Sequence, residues 1–294
     1  MVKKNKLVVD GTTYIYEVSD VKRPLKFFVF ADLHMNKDID LNILSSLVDA
    51  AKDAQPDAVI FLGDLIHTVQ YLDDEKNFTT LKKFLDDLAE VAPFYIIVGN
   101  HDIRSYDTEN DRAFVREPRE FWEAVTKNPK IKLLRNQEIE TPDYYIAGME
   151  QSAECYGLNR DGGLNKYQRN ILFAERPEAM RKELKIFLDN LNIPKIHDKP
   201  NILLLHSARF LGWRNMKRWV TDFDVIMSGH LHNMAMPDKA FKKTMQAYGL
   251  GKKKGHFVCP PVSVFVKKRY QNRFRRRYAI VKIVKKQASA IIDS

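Results

Sequence analysis

Short apolar runs alternate with amphipathic segments through the first hundred residues of the chain. Apolar runs lie at 25–34, 57–65 and 93–102, and each has the length of a buried strand. The segments 41–54 and 79–92 between them carry apolar residues three or four positions apart, which is typical of an amphipathic helix. This alternation of strand and helix predicts βαβ units and a sheet that is at least partly parallel.

The pattern continues more loosely on either side of this region. At the N-terminus, residues 7–18 predict two short strands around a turn at Asp10–Gly11. A further helix is expected over 176–190. No repeat or low-complexity linker divides the chain, so we expect a single domain over residues 1–294. Further strands are expected at 131–136, 144–149, 201–207, 223–232, 256–266 and 276–284.

Polar residues follow the predicted buried strands at a recurring position. Each lies at or just beyond the C-terminal end of an apolar run: Asp32, Asp64, Asn100, His206 and His230. Ligands of α/β sheets bind at the carboxyl ends of the strands. The sequence therefore predicts that these side chains converge on one site.

Five short motifs around these residues carry metal-ligand chemistry. Carboxylate and imidazole side chains suit divalent ions of intermediate softness such as Mn, Fe and Zn, and a carboxylate can bridge two ions. Residues i and i+2 leave the same face of an extended chain, so the two ends of an Asp-x-His or His-x-His motif are expected to reach one ion. The motifs are Asp32-Leu33-His34, Gly63-Asp64, Gly99-Asn100-His101-Asp102, His206 and Gly229-His230-Leu231-His232.

In this order the motifs resemble the signature of the calcineurin-like metallophosphoesterase superfamily. The resemblance runs from Asp32 to His232. It implies a four-layer α/β/β/α sandwich of two mixed sheets, and two divalent metal ions with Mn favoured in vitro. By the resemblance, one ion is held by Asp32, His34, Asp64 and His232, and the other by Asp64, Asn100, His206 and His230.

The reaction implied by the resemblance is hydrolysis of a phosphomonoester, a phosphodiester or a pyrophosphate. A hydroxide bridging the two ions would attack phosphorus in line, with Asp64 as the bridging carboxylate. His101 would not bind metal but would assist the leaving group. Two alternatives are a nuclease of the same superfamily and a non-enzymatic scaffold with a vestigial site. The intact motifs and the presence of His101 argue against the scaffold.

One position departs from the pattern of the superfamily. Many members read GDxxD, and the last Asp orients the catalytic histidine, whereas here His67 occupies that position and no Arg follows it. This argues against a protein Ser/Thr phosphatase. It also leaves open what positions His101, because the adjacent Asp102 is expected to point elsewhere. His67 could contact His101 or a substrate phosphate, or could lie near the site without a role.

Candidate substrate contacts come from two segments outside the metal motifs. Residues 104–120 follow the third motif directly, so Arg104, Arg112 and Arg116 could bind phosphate or lie in a solvated charged loop. A loop-rich stretch over 150–177 precedes the last predicted helix and could cover the site. The substrate-binding candidates are Arg104, His67, Tyr156 and Arg160.

The excess positive charge of the chain is confined to its C-terminal part. The formal net charge is +10, and residues 252–286 contain 13 Lys or Arg and no acidic residue. This segment could supply closing strands with solvated basic side chains, or could bind an anionic membrane surface or nucleic acid. The arrangement of LxRN at 133–136, YIAGM at 145–149, a lone His206 and SGHxH at 228–232 is also similar to a bacterial subgroup that often carries a membrane anchor. We find no transmembrane segment, no signal peptide and only two cysteines, which favours a cytoplasmic protein, peripheral to the membrane if the basic segment binds lipid.

Overall fold

The structure is a computed structural model that describes residues 10–107, 112–157, 176–192, 198–208, 222–230 and 276–286. The strands are β1 (Asp10–Val18), β2 (Leu25–Phe30), β3 (Ala58–Phe61), β4 (Phe94–Ile96), β5 (Arg104–Asp107), β6 (Arg112–Val115), β7 (Ile131–Leu133), β8 (Gln137–Glu140), β9 (Tyr145–Met149), β10 (Asn201–Leu205), β11 (Val225–Ser228) and β12 (Arg276–Lys285). The helices are α1 (Asn42–Ala54), α2 (Glu75–Ala89), α3 (Arg119–Thr126) and α4 (Pro177–Asp189). Short 3₁₀ turns lie at Val69–Asp73 and Ala153–Tyr156.

The larger sheet has six strands in the order β1-β12-β2-β3-β4-β7. Strands β2, β3, β4 and β7 are parallel to one another, as the βαβ pattern predicts, so their carboxyl ends meet at one edge. Strand β12 is antiparallel to β2 and parallel to β1, which makes the sheet mixed. The central strands β2, β3 and β4 are almost wholly buried, and this explains why they read as continuous apolar runs.

The smaller sheet has four strands in the order β11-β10-β9-β8. Strands β9, β10 and β11 are parallel to one another, and β8 is antiparallel to β9. Every residue of β10 is buried, and its side chains alternate between two hydrophobic clusters. Ile202 and Leu204 pack against the larger sheet, whereas Leu203 and Leu205 pack with α4.

The two clusters define four layers. Apolar residues of α1, α2 and α3 share one cluster with both faces of the larger sheet and the inner face of the smaller sheet. The second cluster joins the outer face of the smaller sheet to Met180, Leu184 and Phe187 of α4. The predicted α/β fold with two mixed sheets in a four-layer α/β/β/α sandwich is confirmed.

The boundaries of the second helix differ from the prediction. Helix α2 begins at Glu75, four residues before the predicted start, because the carboxylate of Asp74 accepts the backbone N–H groups of Lys76 and Asn77 at 2.8 and 3.3 Å. An N-cap of this kind satisfies donors that would otherwise have no partner in the first turn. The helix ends at Ala89, whereas the apolar pattern continued to residue 92.

The predicted turn at Asp10–Gly11 is wrong. Both residues belong to β1, which pairs with β12 over its whole length with a register shift between Asp10 and Gly11. Residues 104–120, for which a solvated charged loop was one of two interpretations, contain the antiparallel pair β5 and β6. The predicted strand at 256–266 lies outside the described residues.

Candidate metal centre

The polar residues at the strand ends converge at one edge of the sandwich. Asn100 and Asp64 follow strands of the larger sheet, and His206 and His230 follow strands of the smaller sheet. His206 Nε2 lies 3.2 Å from Asn100 Oδ1, 3.3 Å from Asp64 Oδ2 and 3.3 Å from His230 Nδ1. All four residues are buried. The two sheets therefore bring their candidate ligands to the same place.

Asp64 lies at the middle of this arrangement. Its Oδ1 accepts the backbone N–H of His101 at 2.7 Å. Its buried Oδ2 accepts no hydrogen bond from the described residues and lies 3.5 Å from His34 Nε2 and 3.3 Å from His206 Nε2. Oxygen and imidazole donors gathered around an unsatisfied carboxylate oxygen fit a divalent cation.

Two groups of possible ligands share Asp64. The ligand atoms of Asp32, His34 and Asp64 lie within 4.8 Å of one another, and so do those of Asp64, His206 and His230. Asp64 is likewise common to the two ligand sets that the resemblance implies, and the assignment of residues to each ion stays a prediction. His232 of the first set lies outside the described residues.

Four of the candidate ligands have a left-handed backbone conformation. The φ angles are 53° for Asp32, 46° for His34, 63° for Asp64 and 68° for His230. Residues other than glycine rarely adopt such angles, which cost about 1–3 kcal/mol each. The predicted extended geometry of the Asp32–His34 motif is wrong, because both residues lie in the loop after β2. Backbone hydrogen bonds hold this loop: Asp32 N donates to Gly63 O at 2.9 Å, and His34 N donates to Asp64 O at 3.0 Å.

Two glycines make the close approach of these loops possible. A Cβ atom at Gly63 would lie 2.6 Å from Gly99 N and 2.8 Å from His206 Nδ1. A Cβ atom at Gly99 would lie 2.2 Å from Asp64 Oδ1. Gly63 also has a φ angle of 92°, which glycine adopts without strain. Larger residues at these two positions would displace the candidate ligands themselves.

Asp102 connects the second motif to the third, a role that the sequence reasoning missed. Its Oδ2 accepts from Asp64 N at 2.8 Å and from Gly99 N at 2.9 Å. Its Oδ1 accepts from Leu65 N at 2.7 Å and from Ile66 N at 3.3 Å. The carboxylate therefore points away from His101 and fixes the backbone that carries Asp64.

The ionisable groups of the site shift one another's pKa values. Burial alone would raise the pKa of Asp64, but the imidazoles of His206, His101 and His34 outweigh burial and hold that pKa well below its usual value. Burial raises the pKa of Asp32 well above its usual value, against the opposing effect of His206. Burial would lower the pKa of His206, yet the Asp64 carboxylate raises that pKa to about 9. Protons shared between carboxylates and imidazoles this close together offset the negative charge of the carboxylates. Bound cations would take over that role.

The backbone of His67 replaces the missing aspartate beside His101. His101 Nδ1 lies 2.8 Å from the carbonyl oxygen of His67. A carbonyl can only accept, so Nδ1 carries the proton and Nε2 is left for other partners. Arg104 Nη2 lies 2.7 Å from the same Nδ1 and 3.2 Å from Nε2, so the guanidinium packs closely against the ring. Burial, together with Arg104, lowers the pKa of His101 well below its usual value despite the nearby Asp64, which favours the neutral imidazole.

The other predicted substrate contacts have different environments. The His67 side chain is exposed, and its ring centroid lies 5.1 Å from that of His101. Arg116 is exposed and forms an ion pair with Asp73 at 2.6 Å, which gives its charge a structural partner. Arg160 lies outside the described residues.

Tyr156 packs behind the candidate ligands. Its side chain is 1% exposed, and its hydroxyl donates to Gln151 Oε1 at 2.9 Å. The ring centroid lies 5.8 Å from that of His230 and 6.2 Å from that of His206. The structure therefore does not support the predicted direct contact with substrate, because the ring is enclosed in the core of the smaller sheet and α4.

Gln151 holds the segment after His206 in place, and the sequence reasoning did not identify it. Ser207 N donates to Gln151 Oε1 at 2.6 Å, and Gln151 Nε2 donates to Ser207 O at 2.9 Å. His206 Nδ1 lies 2.7 Å from the carbonyl oxygen of Leu62, so that nitrogen carries the proton and Nε2 faces Asp64. The only signal in the sequence is that Gln151 follows a predicted strand, as the candidate ligands do.

Residues 25–234 match the family model of the calcineurin-like phosphoesterases. This range is most of the chain, so the chain belongs to the calcineurin-like phosphoesterase family. The family predicted from the motifs is confirmed. The predicted class of enzyme, a hydrolase of phosphoric esters, agrees with that family.

Two curated proteins are similar in sequence. The chain is 27% identical over 216 residues to an uncharacterized metallophosphoesterase of Campylobacter jejuni, over 74% of this chain and 46% of the relative. It is 32% identical over 126 residues to phosphodiesterase YaeI of Escherichia coli, over 42% of each chain. The aligned part of the chain thus spans less than half the length of either relative.

Solved structures of low sequence identity are also similar. A dimetal phosphatase from Danio rerio has a TM-score of 0.40 and 11% identity, over 71% of this chain and 82% of that chain. GAP50, the anchor in the inner membrane complex of Plasmodium, has a TM-score of 0.35 and 14% identity, over 71% and 66% of the two chains.

Proposed function

We propose that this chain is a phosphoesterase that depends on two divalent metal ions. The observation that carries the proposal is the position of Asp64, whose unsatisfied Oδ2 lies between the imidazoles of His34 and His206. In this proposal Asp64 contributes to both ions. Asp32, His34 and His232 complete one ligand set, and Asn100, His206 and His230 complete the other.

The ions would acidify a water molecule and neutralise the phosphate oxygens, which is the usual contribution of a two-metal site to phosphoester hydrolysis. Side chains of the protein would assist the leaving group and hold the ligands in place. His101 keeps its Nδ1 proton on the carbonyl of His67, so its Nε2 faces the leaving oxygen. It can protonate that oxygen only from the imidazolium form, in which Nε2 also carries a proton. Asp102 holds the loop that carries Asp64 and keeps its carboxylate in place.

The donor set suits Mn, Fe or Zn, since it mixes carboxylate and amide oxygens with imidazole nitrogens. We favour Mn for activity in vitro. Substrates within the proposal are phosphomonoesters, phosphodiesters and pyrophosphates. The name of the Escherichia coli relative, a phosphodiesterase, supports testing a diester first.

The test uses the purified full chain, stripped of metal with a chelator and reloaded with Mn, Fe or Zn. Bis-(p-nitrophenyl) phosphate, p-nitrophenyl phosphate and single-stranded DNA are assayed side by side, with metal content measured by elemental analysis. Two ions per chain and metal-dependent release of nitrophenol are expected. Cleavage of DNA alone would favour the nuclease alternative. A chain that binds no metal and cleaves none of the three would be the non-enzymatic scaffold.

The location and further partners of the chain are part of the same proposal. No helix in the described ranges is long and apolar enough to cross a membrane. Of the basic segment 252–286, only β12 and Lys286 are described, and Lys282, Lys285 and Lys286 are exposed there. We propose a cytoplasmic protein whose basic segment either supplies closing strands with solvated basic side chains or contacts an anionic membrane surface or nucleic acid. Sedimentation with anionic and neutral vesicles, with and without competing DNA, distinguishes these partners.

A further inference from the structure

Arg104 carries a buried positive charge beside the candidate metal centre. It is the first residue of β5, and it is 6% exposed. No carboxylate of the described residues lies within ion-pair distance of it, and the Asp64 carboxylate attracts it only from farther away. Its Nε donates no hydrogen bond there. Removing a charge from water is costly unless an opposite charge or hydrogen-bond acceptors compensate. Arg104 is therefore suited to an anion that arrives with the substrate.

The position of the guanidinium relative to His101 indicates where that anion would lie. Arg104 Nη2 lies 3.2 Å from His101 Nε2, the ring nitrogen without the proton, and can donate to it until a leaving oxygen takes that place. An oxygen that hydrogen-bonds to Nε2 at about 2.8 Å lies within about 6 Å of Arg104 Nη2. The positive charge is thus close to the leaving group.

A third metal ion is the competing occupant of this corner. The ring nitrogens of His34, His67 and His101 include atoms within 4.8 Å of one another, which is compatible with a cation. Arg104 Nη2 lies 2.7 Å from His101 Nδ1, so a cation there would lie against the guanidinium in a poorly solvated site. Like charges repel strongly in such surroundings, so the corner favours an anion.

We propose, on the basis of the two-metal function above, that Arg104 binds the leaving group and selects substrates whose leaving group carries its own negative charge. A phosphoanhydride is the simplest such substrate. In its hydrolysis a water oxygen forms the new bond to phosphorus, and the bridging P–O bond breaks. The electron pair stays on the departing phosphate, and the protons of the water end on the two phosphate products or in solvent. Arg104 stabilises the departing phosphate, whereas the alcohol released from a diester offers it no anion beyond the leaving oxygen.

The test compares two substrates that differ by one phosphate: a dithymidine pyrophosphate and the dithymidine phosphodiester joined through the same hydroxyls. The Mn-loaded full chain is assayed as wild type and as Arg104→Gln. The variant is expected to lose about 10²-fold in kcat/KM on the pyrophosphate and less than about 10-fold on the diester. Arg104→Lys, which keeps a positive charge without the planar fork, is expected to lose less, and again mainly on the pyrophosphate.

Arg116→Gln is the matched control, because Arg116 lies just beyond β6 and already pairs with Asp73. It is expected to leave both rates unchanged. Metal content and melting temperature verify that each variant is folded. Equal losses on the two substrates in Arg104→Lys, with an active wild type, would overturn the selectivity and leave the two-metal function standing. A wild type that hydrolyses neither these substrates nor a nitrophenyl ester would overturn both.

Discussion

The two sheets contribute different walls to the candidate metal centre. The wall from the larger sheet supplies the oxygen donors Asp32, Asp64 and Asn100 and one imidazole, that of His34. Its loops are connected by the Asp102 carboxylate. The wall from the smaller sheet supplies imidazoles. Its attachments include the pair of hydrogen bonds between Gln151 and Ser207, the contact of His206 with a carbonyl of the opposite wall, and the hydrogen bond from His230 N to the Asp32 carboxylate.

The difference indicates how each wall is held in position. The oxygen wall is held from within. The strained backbone at Asp32 and His34 is held by hydrogen bonds to carbonyl groups of the neighbouring loop, at the same edge of the sheet. The imidazole wall is held from outside by one glutamine and by the opposite wall. Loss of a group from the oxygen wall should therefore be more damaging than loss of a supporting group behind the imidazoles.

The largest effect is expected from Asp64→Asn. Asp64 is the residue common to both proposed ligand sets, and its substitution removes a negative charge from between two imidazoles. We expect metal content to fall from two ions per chain to one or none, and hydrolysis to fall to background. Elemental analysis and a nitrophenyl ester assay measure the two quantities.

Asp87→Asn is the control for that change, because Asp87 is a half-buried residue of α2, far from the site in sequence and paired with Lys83 at 2.7 Å. It should leave metal content and rate unchanged. Two tightly bound ions in Asp64→Asn would contradict the shared position of Asp64 and the contrast between the walls.

His101→Ala is expected to lower turnover by about 10²–10⁴-fold, the range of general acid catalysis. Metal content should stay at two ions per chain, because His101 is assigned no metal. His67→Ala sharpens the assignment, since alanine keeps the carbonyl that accepts from His101 Nδ1 and the expected loss is smaller. Loss of metal in His101→Ala would show that this histidine belongs among the ligands.

Asp102→Asn tests the internal support of the oxygen wall. An amide in place of the carboxylate puts its NH₂ group against two of the four backbone donors, either those of Asp64 and Gly99 or those of Leu65 and Ile66. We expect a loss of about 1–3 kcal/mol in the free energy of unfolding and a loss of about 10–100-fold in metal affinity. Urea unfolding and metal titration measure the two losses. Unchanged stability and affinity would mean that the wall does not depend on Asp102.

The strand ends and the metal motifs could be predicted because both are local properties of the sequence. A buried strand followed by a ligand residue can be recognised along the chain, and parallel strands bring such ends together, as they do for Asp64 and Asn100. The order of motifs then identified the family and, through it, the sandwich.

The errors concern features that depend on contacts between distant segments. The neighbouring loop imposes the left-handed backbone of Asp32 and His34, and neither residue type predicts it. Asp102 lies next to His101 in sequence but serves the loop after β3. Tyr156 was expected in a loop over the site, whereas packing against α4 buries it. In each case a long-range contact overrides the local pattern.

The smallest effect is expected from Gln151→Ala, which removes the external support of the imidazole wall. The variant removes the two hydrogen bonds between the Gln151 side chain and the Ser207 backbone, yet His206 keeps its contact with Leu62 O. We therefore expect metal affinity to fall by about 10-fold, at the low end of the range for residues behind the ligands. Metal titration measures it, and Asn201→Ala, a buried residue at the opposite end of β10, is the control for a general loss of packing. A loss of metal affinity as large as that of Asp102→Asn would contradict the difference between the walls. The Gln151 side chain would then matter as much as a carboxylate that accepts from four backbone donors.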